Sequence, residues 1–333
     1  MALAPSVAAE STAAGARAGR ILRIAAVESA ARDVLLLRFE EPGGGELPPW
    51  QAGDHLEIVL PSGLIRHYSL CGRWGDRSSY TVAVLRVADG RGGSVEIHDR
   101  PLAGAELLVR GPRSNFPLVE APAYLLLAGG IGITPLYAMA QALAARGADW
   151  SLTYGARCGG AMAFRRELAE LGGDRVRFVA QDLEGLPDFR ALLDVAPTGT
   201  AVYCCGPEPM IAQVERLCAQ RAERLSLHVE RFNAAAGIAA AAGQDRPFEL
   251  ELAETGVILR VPADKTALEV VHEVLPDHPY SCLGGQCGSC EVAVLAGEVD
   301  YRDEVLSDEE HAANSAMMLC VSRARTDRLV IQL

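Results

Sequence analysis

The 333-residue sequence predicts a multidomain protein of the β plus α/β class. Three observations predict it, in chain order. Short alternating runs separated by Gly/Pro turns fill residues 18–118, which is typical of an antiparallel β-barrel. From residue 121, buried-strand and helix patterns alternate, which is typical of a doubly wound parallel sheet. From residue 247, alternating strands and one amphipathic helix predict a small α/β module.

The predicted boundaries follow these changes of pattern. We expect a tail at residues 1–18, a barrel at 19–118, an α/β domain at 119–233, a linker at 234–246 and a C-terminal module at 247–333. The tail is aperiodic and lacks the basic start and apolar core of a signal peptide, so we expect it to be disordered and the protein to be cytoplasmic. The length suffices for two or three domains with separate cores.

The charge of the chain limits its partners. A net charge of −12 argues against nucleic acid and anionic membrane surfaces. Most of the excess lies in residues 251–333, where acidic residues outnumber basic ones by nine. This region therefore has either a well-solvated surface or a docking face for a partner.

Residues 121–145 contain no charged residue and have the length of a membrane-spanning helix. Their centre, however, is GGIGITP, which would break such a helix. A buried strand, a tight glycine loop and a helix started by Pro135 explain the pattern better. The sequence therefore predicts no membrane segment.

Four of the nine cysteines form a pattern close to the C-terminal end. Cys282, Cys287 and Cys290 have the spacing C-x4-C-x2-C, and Cys320 follows after 29 further residues. In this plant-type spacing, four thiolates hold a [2Fe–2S] cluster. A zinc site more often pairs two C-x2-C clips, and only one is present here. The other five cysteines are expected to be small buried hydrophobes: Cys71, Cys158, Cys204, Cys205 and Cys218.

Two motifs in the barrel region carry donors suited to a phosphate. Arg66 begins RHYSLC at the end of a predicted strand, and residues 90–94, GRGGS, offer the backbone N–H groups of three glycines beside Arg91 and Ser94. Each motif has a simpler interpretation: an exposed arginine beside a packed tyrosine, and an ordinary hairpin turn. Their order ahead of a nucleotide-type loop favours the functional interpretation.

Two further loops belong to the α/β region. Residues 130–135, GIGITP, lead from a buried strand into a helix, where free N–H groups and the helix dipole bind a pyrophosphate. Pro135 stands where a G-x-G-x-x-G pattern has its third glycine. Residues 205–210, CGPEPM, follow the last predicted strand of the sheet and begin another helix.

In this order, RHYS, GRGGS, GGIGITP, CGPEPM and the four terminal cysteines resemble the phthalate dioxygenase reductase family, part of the ferredoxin–NADP reductase superfamily. The resemblance covers nearly the whole chain beyond residue 18. It implies a flavin-binding antiparallel β-barrel, a doubly wound parallel nucleotide-binding sheet and a C-terminal β-grasp ferredoxin module. The implied cofactors are FMN, NADH and a [2Fe–2S] cluster. FMN is favoured over FAD because we find no segment for the adenine half.

For the flavin, the resemblance implies that Arg66 holds the phosphate, Tyr68 packs against the ring and Ser69 lies near its redox-active nitrogen. Further implied contacts along the ring, ribityl chain and phosphate are His67, Ala83, Val84, Leu85, Arg91, Gly92, Gly93 and Ser94. Phe232 matches an aromatic residue that covers the flavin in relatives, and its alternative is an ordinary core position.

For the nicotinamide and pyrophosphate, the resemblance assigns residues of both loops: Gly130, Gly132, Thr134, Cys205, Gly206 and Pro207. The first three would carry the pyrophosphate and guide the nicotinamide, and Cys205 would lie beside it. Ser69, Thr134 and Cys205 are therefore the candidate catalytic residues.

Two residues at strand ends bear on the choice of nucleotide. Arg157 is a basic residue that could meet a 2′-phosphate, although arginine at this point also occurs in NADH-dependent relatives. Asp182 suits a free ribose or adenine better than a phosphate. The pair favours NADH over NADPH.

These cofactors imply an NADH-dependent flavin iron–sulfur oxidoreductase, because a flavin accepts electrons in pairs and releases them singly. The sequence has neither a 2-His-1-carboxylate pattern nor a C-x-H Rieske site, so we expect a reductase component and a separate terminal oxygenase. By resemblance this partner is a Rieske non-haem iron oxygenase. A haem-thiolate monooxygenase is the alternative acceptor, and a redox sensor is the alternative from another class.

We expect a monomer that binds its oxygenase transiently near the ferredoxin module. Opposite charges speed such encounters. The acidic residues expected at the docking face are Asp303, Glu304, Asp308, Glu309 and Glu310. The alternative is that these acids only keep the module soluble.

Overall fold

The computed structural model describes residues 19–88, 90, 92–232, 245–276, 278–280, 283–285, 288–303 and 305–333. They belong to two compact units, Met1–Arg231 and Phe232–Leu333. The first unit holds a six-stranded and a five-stranded sheet, and the second a five-stranded and a two-stranded sheet. The expected tail and most of the expected linker lie outside the described residues, and the domain bounds stay a prediction.

The six-stranded sheet is antiparallel, as the alternating runs predict. Its strands are β1 Arg20–Ala31, β2 Val34–Glu40, β3 Asp54–Val59, β4 Ile65–Ser69, β5 Tyr80–Leu85 and β6 Glu106–Ser114. Their order is β4-β3-β6-β1-β2-β5, and an isolated bridge between Leu70 and Val82 links the two edge strands. Leu22, Leu37 and Ile58 are fully buried inside it. The GRGGS segment leads into a short helix that the sequence analysis did not anticipate, α1 Gly93–Asp99.

The five-stranded sheet is parallel, with the order β11-β10-β7-β8-β9. Its strands are β7 Ala123–Gly129, β8 Trp150–Ala156, β9 Val176–Ala180, β10 Thr200–Cys205 and β11 Leu225–Glu230. The helices between them are α2 Ile133–Ala145, α3 Arg165–Gly172, α4 Gln181–Glu184, α5 Phe189–Val195 and α6 Glu208–Ala219. The strand order reverses between β7 and β10, and ligands of such sheets bind outside the carboxyl ends of the strands at this switch point.

The charge-free stretch is divided as predicted. β7 is buried along its whole length, a 3₁₀ turn covers Gly130–Gly132, and α2 follows. Within the described ranges, no helix is both long and apolar enough to cross a membrane.

The two sheets of the first unit share one apolar core, and helix α2 is pressed closely against the barrel. Gly53 has φ +95°, and a Cβ atom there would lie 1.9 Å from the carbonyl oxygen of Phe116 and 3.2 Å from Met139 Cε of α2. Only glycine fits this position. The barrel and α2 therefore hold a fixed distance at this point.

The second unit has the mixed sheet that a β-grasp module requires. Its strands are β12 Phe248–Leu252, β13 Val257–Val261, β14 Glu291–Ala296, β15 Val299–Asp300, β16 Ala316–Met318, β17 Arg323–Ala324 and β18 Arg328–Ile331. The order β13-β12-β18-β14-β16 forms the main sheet, with β12 and β18 parallel, and β15 pairs with β17. Helices α7 Ala267–His272 and α8 Asp308–Ala313 each begin with a capping box.

Buried Arg323 fastens the start of this unit to the strand that follows Cys320. Its guanidinium donates hydrogen bonds to the carbonyl oxygens of Lys265, Pro262 and Arg246, at 2.8, 2.9 and 3.1 Å. Asp245 lies 3.6 Å from its Nε and also accepts hydrogen bonds from Arg302. A buried arginine needs such partners, because removing one partner of a buried pair costs about 3–5 kcal/mol.

Candidate functional site

The end of β4 presents its side chains alternately to two faces of the barrel sheet. In the β3–β4 ladder, Arg66 pairs with Ile58 and Tyr68 pairs with Leu56, so these side chains lie on one face of the sheet. A Cβ atom at Gly93 would lie 2.4 Å from Arg66 Nε, so the guanidinium lies directly against the glycine turn. A phosphate that binds here would meet a guanidinium and the backbone of a glycine turn at the start of α1, which fits the phosphate of a flavin nucleotide.

The other residues of this turn differ in how they could interact with a phosphate. Gly92 has φ +79° and caps α1. The Ser94 hydroxyl accepts a hydrogen bond from the Val87 N–H at 3.1 Å, which closes the turn. Arg91 lies outside the described residues.

The side chain of His67 points to the opposite face from Arg66 and Tyr68. Its Nε2 lies 3.6 Å from Glu57 Oε2, and Glu57 also pairs with Arg110. A contact between His67 and a flavin would therefore use the backbone. In β5, Ala83 and Val84 are buried and Leu85 is half-buried, so their backbone is likewise the polar surface that a ligand would meet.

A contact between the two sheets brings candidate catalytic residues together. The buried Ser69 hydroxyl donates a hydrogen bond to Glu230 Oε2 at 3.4 Å. Glu230 ends β11, and its partner across the ladder is Cys205 at the end of β10. Glu230 therefore connects Ser69, by a hydrogen bond, with the strand position beside Cys205, although Ser69 and Cys205 are 136 positions apart in the sequence.

Glu230 was not identified in the sequence analysis. Desolvation raises the pKa of this half-buried carboxyl to about 8, and the hydrogen bond from Ser69 opposes the shift. The segment HVERF drew attention only to Phe232. An acidic residue at the last position of a largely apolar strand is the signal that could have revealed it.

The two nucleotide-type loops are in backbone contact at the switch point. A Cβ atom at Gly132 would lie 2.2 Å from the carbonyl oxygen of Cys205, and one at Gly206 would lie 3.0 Å from Gly129 Cα. Gly130, with φ +57°, has open space beside its Cα. Gly132 and Gly206 therefore allow the two loops to touch, and Gly130 leaves room for a pyrophosphate to approach the backbone, which fits a dinucleotide.

Thr134 and Cys205 are buried beside these loops. The Thr134 hydroxyl donates to the carbonyl oxygen of Ile131 at 3.1 Å, which holds the 3₁₀ turn against the first turn of α2. Burial raises the pKa of the Cys205 thiol well above its ordinary value. The thiol therefore stays protonated at neutral pH and presents an uncharged surface.

The two residues expected to select the nucleotide are neighbours. The Asp182 N–H donates to the carbonyl oxygen of Arg157 at 3.1 Å, and both side chains are exposed at the carboxyl edge of the sheet. Phe232 is exposed, as the first residue of the second unit, and its role stays a prediction.

Of the four predicted cluster ligands, the described residues include Cys290 and Cys320, and both are buried. They are joined through the backbone, because the Leu319 N–H donates to the carbonyl oxygen of Cys290 at 3.2 Å. Cys282 and Cys287 lie outside the described residues. Gly285 has φ +71°, and a Cβ atom there would lie 2.9 Å from Asp303 Cα, so only glycine fits this close approach. Buried thiols beside a glycine loop fit a cluster.

One expectation about the acidic surface is wrong. The Asp303 carboxylate is buried and accepts hydrogen bonds from the Leu306 N–H at 3.0 Å, the Val305 N–H at 3.3 Å and the Ser322 hydroxyl at 3.3 Å. Asp303 therefore organises the loop near Cys320 and is no docking residue. Glu309 and Glu310 are exposed, whereas Glu304 and the side chain of Asp308 lie outside the described residues.

Comparison with known families matches two regions of the chain. Residues 126–216 match the oxidoreductase NAD-binding domain family, and residues 250–325 match the 2Fe-2S iron-sulfur cluster binding domain family.

The chain is similar over nearly its whole length to reductase subunits. It is 41% identical over 313 residues to the toluene-4-sulfonate monooxygenase system reductase subunit of Comamonas testosteroni, covering 93% of this chain and 98% of that protein. It is 36% identical over 317 residues to phthalate dioxygenase reductase of Burkholderia cepacia, covering 94% and 97%. A solved structure of phthalate dioxygenase reductase, described as carrying electrons from pyridine nucleotides to [2Fe–2S], is 35% identical with a TM-score of 0.69, covering 95% and 98%.

A longer protein is also similar. Full-length CYP116B46 from Tepidiphilus thermophilus is 40% identical, with a TM-score of 0.71 and 96% of this chain covered. This chain spans 42% of the length of that protein.

Proposed function

This chain belongs to the phthalate dioxygenase reductase family, and we propose that it is the reductase component of an oxygenase system that passes electrons from NADH through FMN and a [2Fe–2S] cluster to a Rieske non-haem iron oxygenase. One observation carries the proposal. Ser69 of the barrel donates a hydrogen bond to Glu230 of the parallel sheet, and Glu230 stands beside Cys205 at the carboxyl ends of its strands, where a nicotinamide nucleotide would bind. The same chain carries an iron–sulfur module that accepts single electrons.

Arg66 and the glycine turn at Gly92 and Gly93 hold the phosphate of FMN in this proposal. The guanidinium supplies charge, and the turn supplies backbone N–H groups. Tyr68 follows Arg66 by two residues in β4 and lies on the same face. A flavin ring would extend from the phosphate toward Tyr68. FMN is proposed over FAD because no segment of the sequence accounts for an adenine half.

When bound, the flavin supplies the conversion from a two-electron hydride to single electrons. The chain supplies position and proton control. Gly132 and Thr134 orient the pyrophosphate and nicotinamide, and the neutral Cys205 thiol gives the ring an uncharged contact. The Glu230 carboxyl, protonated below about pH 8, and the Ser69 hydroxyl, which donates to its Oε2, would hold a proton between the two sheets.

We propose NADH as the donor. Asp182 stands at the carboxyl edge of the sheet with its backbone bound to Arg157, and its carboxylate would repel a 2′-phosphate. The single exposed Arg157 offers one positive charge against it. A ribose hydroxyl, in contrast, can donate a hydrogen bond to a carboxylate.

The acceptor is proposed from the relatives. Reductases of a dioxygenase and of a monooxygenase system are similar to the chain along nearly its whole length, which favours a separate oxygenase that binds transiently near the ferredoxin module. CYP116B46 favours a second candidate, a haem-thiolate monooxygenase. We further propose that the protein is a cytoplasmic monomer, and that electron delivery rather than redox sensing is its role, because both nucleotide loops are complete.

The test is anaerobic reduction of the purified protein by NADH, followed by its coupling to candidate oxygenases. We expect FMN and [2Fe–2S] in equal amounts, rapid reduction of cytochrome c by NADH, and product formation with a Rieske oxygenase. Extraction of FAD would overturn the flavin assignment. Product formation with a haem-thiolate monooxygenase alone would favour the second candidate, and failure to oxidise either nicotinamide nucleotide would refute the function.

A further inference from the structure

We propose that Gln141 is a positioning residue for hydride transfer, because its amide fixes helix α2 against the turn that follows β4. This inference rests on the function proposed above. Gln141 Nε2 donates a hydrogen bond to the carbonyl oxygen of Gly72, and Gln141 Oε1 accepts one from the N–H of Trp74, each at 3.0 Å. Both polar atoms of the amide are thus used on one backbone turn of the barrel, which we call the Gln141 bridge.

Each side of the Gln141 bridge leads to a proposed catalytic residue. Gly72 follows Ser69, the last residue of strand β4, by three residues. On the other side, Thr134 precedes Gln141 by seven residues in α2. Seven residues are nearly two helical turns, so Thr134 and Gln141 lie on the same face of the helix.

The bridge provides what the apolar contacts around it lack. Met139 of α2 reaches the barrel beside Gly53, but apolar packing has no direction and allows sliding along the helix axis. Two hydrogen bonds from one planar amide fix both distance and direction. In ITPLYAMAQALAA, Gln141 is the only residue with a side-chain amide, and it stands where α2 passes the turn.

The turn itself is well anchored. The Trp74 ring packs edge-on against Trp50, with ring centres 5.5 Å apart, and the Trp50 indole N–H donates to the carbonyl oxygen of Asp76 at 3.2 Å. The Gln141 bridge therefore joins helix α2 to an anchored turn of the barrel. It sets the distance between the loop that guides the nicotinamide and the strand that carries Ser69.

Hydride transfer is sensitive to such a distance, since a misplacement of about 1 Å can slow a reaction on the order of 100-fold. Binding of NADH depends instead on the pyrophosphate loops, which the bridge does not touch. Loss of the bridge should therefore lower the rate constant of hydride transfer and leave the Kd of NADH nearly unchanged.

The experiment is anaerobic stopped-flow reduction of the bound flavin over a range of NADH concentrations, which separates the rate constant at saturation from Kd. Gln141→Leu removes both hydrogen bonds at similar volume. Gln141→Glu keeps the acceptor for Trp74 and loses the donor for Gly72. The control is Tyr203→Phe, which removes hydroxyl contacts to Pro117 and Val119 within the same unit, away from the bridge.

We expect Gln141→Leu to slow flavin reduction about 10-fold or more, with Kd within about twofold of wild type. Gln141→Glu should act in the same direction, and Tyr203→Phe should lower the thermal unfolding temperature without slowing reduction. A non-reducing nicotinamide analogue gives a second readout. The long-wavelength charge-transfer absorption of its complex with the flavin depends on ring stacking. This absorption should weaken in both Gln141 variants.

An unchanged rate constant in both variants would refute the positioning role, as would an equal slowing in the Tyr203→Phe control. A loss explained wholly by a higher Kd would refute it too. If Gln141→Leu does not fold, Gln141→Glu decides alone. If the wild-type flavin is not reduced by NADH, the proposed function itself is wrong, which is a different result.

Discussion

The Ser69 hydroxyl donates a hydrogen bond to Glu230 Oε2 at 3.4 Å, which joins the last residue of β4 to the last residue of β11. This contact places a proton-carrying pair between the flavin-type barrel and the nucleotide-type sheet. Desolvation of the Glu230 carboxyl, which the hydrogen bond only partly opposes, makes the stability of the first unit depend on pH.

The first prediction concerns Glu230. Its folded-state pKa of about 8 lies above the ordinary 4.5, so between these values the unfolded chain is ionised and the folded chain is protonated. This group therefore makes stability fall as pH rises from 4.5 to 8, by at most about 1.4 kcal/mol per pH unit. Glu230→Gln should remove this slope. Urea unfolding of both proteins at pH 6 and pH 8.5 measures it, and parallel pH dependence in the two would contradict the burial of the carboxyl.

The second prediction concerns the contact between the nucleotide loops. Gly132→Ala places a Cβ atom 2.2 Å from the carbonyl oxygen of Cys205, so one loop must move. We expect flavin reduction by NADH to slow about 10-fold or more, with normal flavin content. Gly160→Ala is the matched control, because nothing lies within 4 Å of a Cβ atom there. Equal activity of the two variants would show that the loops need not touch.

The third prediction concerns the cluster. Cys290→Ser removes a buried thiolate ligand, so iron content and reduction of cytochrome c should be lost. Reduction of the flavin by NADH should persist, because it needs only the first unit. Cys158→Ser, at a half-buried cysteine outside the ligand pattern, is the control. Loss of flavin reduction together with the cluster would be incompatible with separate modules.

The fourth prediction concerns docking of the oxygenase. Glu309 is exposed on α8 and is the better test, because Glu310 also accepts hydrogen bonds in the capping box with Ser307. Glu309→Lys should lower the second-order rate of electron transfer to the oxygenase, and added salt should lower the wild-type rate steeply, since charges are screened over about 8 Å at physiological ionic strength. Glu254→Lys carries the same charge change at the exposed β12–β13 turn. A flat salt response, or equal effects of both variants, would leave solubility as the role of these acids.

Much of the architecture was predictable because local patterns determine it. The alternating runs of β1–β6 predicted the barrel sheet. The pattern around GGIGITP predicted a buried strand before it, a turn within it and helix α2 after it. Contacts between elements were not predictable. Glu230, Gln141 and Ser69 meet their partners only after the two sheets of the first unit pack, and no spacing in the sequence encodes that.

Charge alone also misled at one position. Asp303 stands among other acidic residues in the sequence and was therefore expected at the surface, yet it is buried. Its carboxylate accepts hydrogen bonds from the N–H groups of Val305 and Leu306 and from the hydroxyl of Ser322, which the fold brings together. The partner of His67 was likewise not predictable from the sequence. Strand alternation predicts that the His67 side chain points away from Arg66, but only the structure shows that Glu57 lies beside it on that face.

The central claim is that electrons pass from NADH to the cluster within this chain through the flavin. The most direct measurement is electron paramagnetic resonance after anaerobic addition of NADH, on the holoprotein and on the same protein stripped of flavin. We predict the signal of a reduced [2Fe–2S] cluster in the holoprotein and no signal in the stripped protein, with recovery on addition of FMN. A holoprotein whose flavin is reduced while its cluster stays oxidised would contradict the claim, and so would a cluster that NADH reduces without flavin.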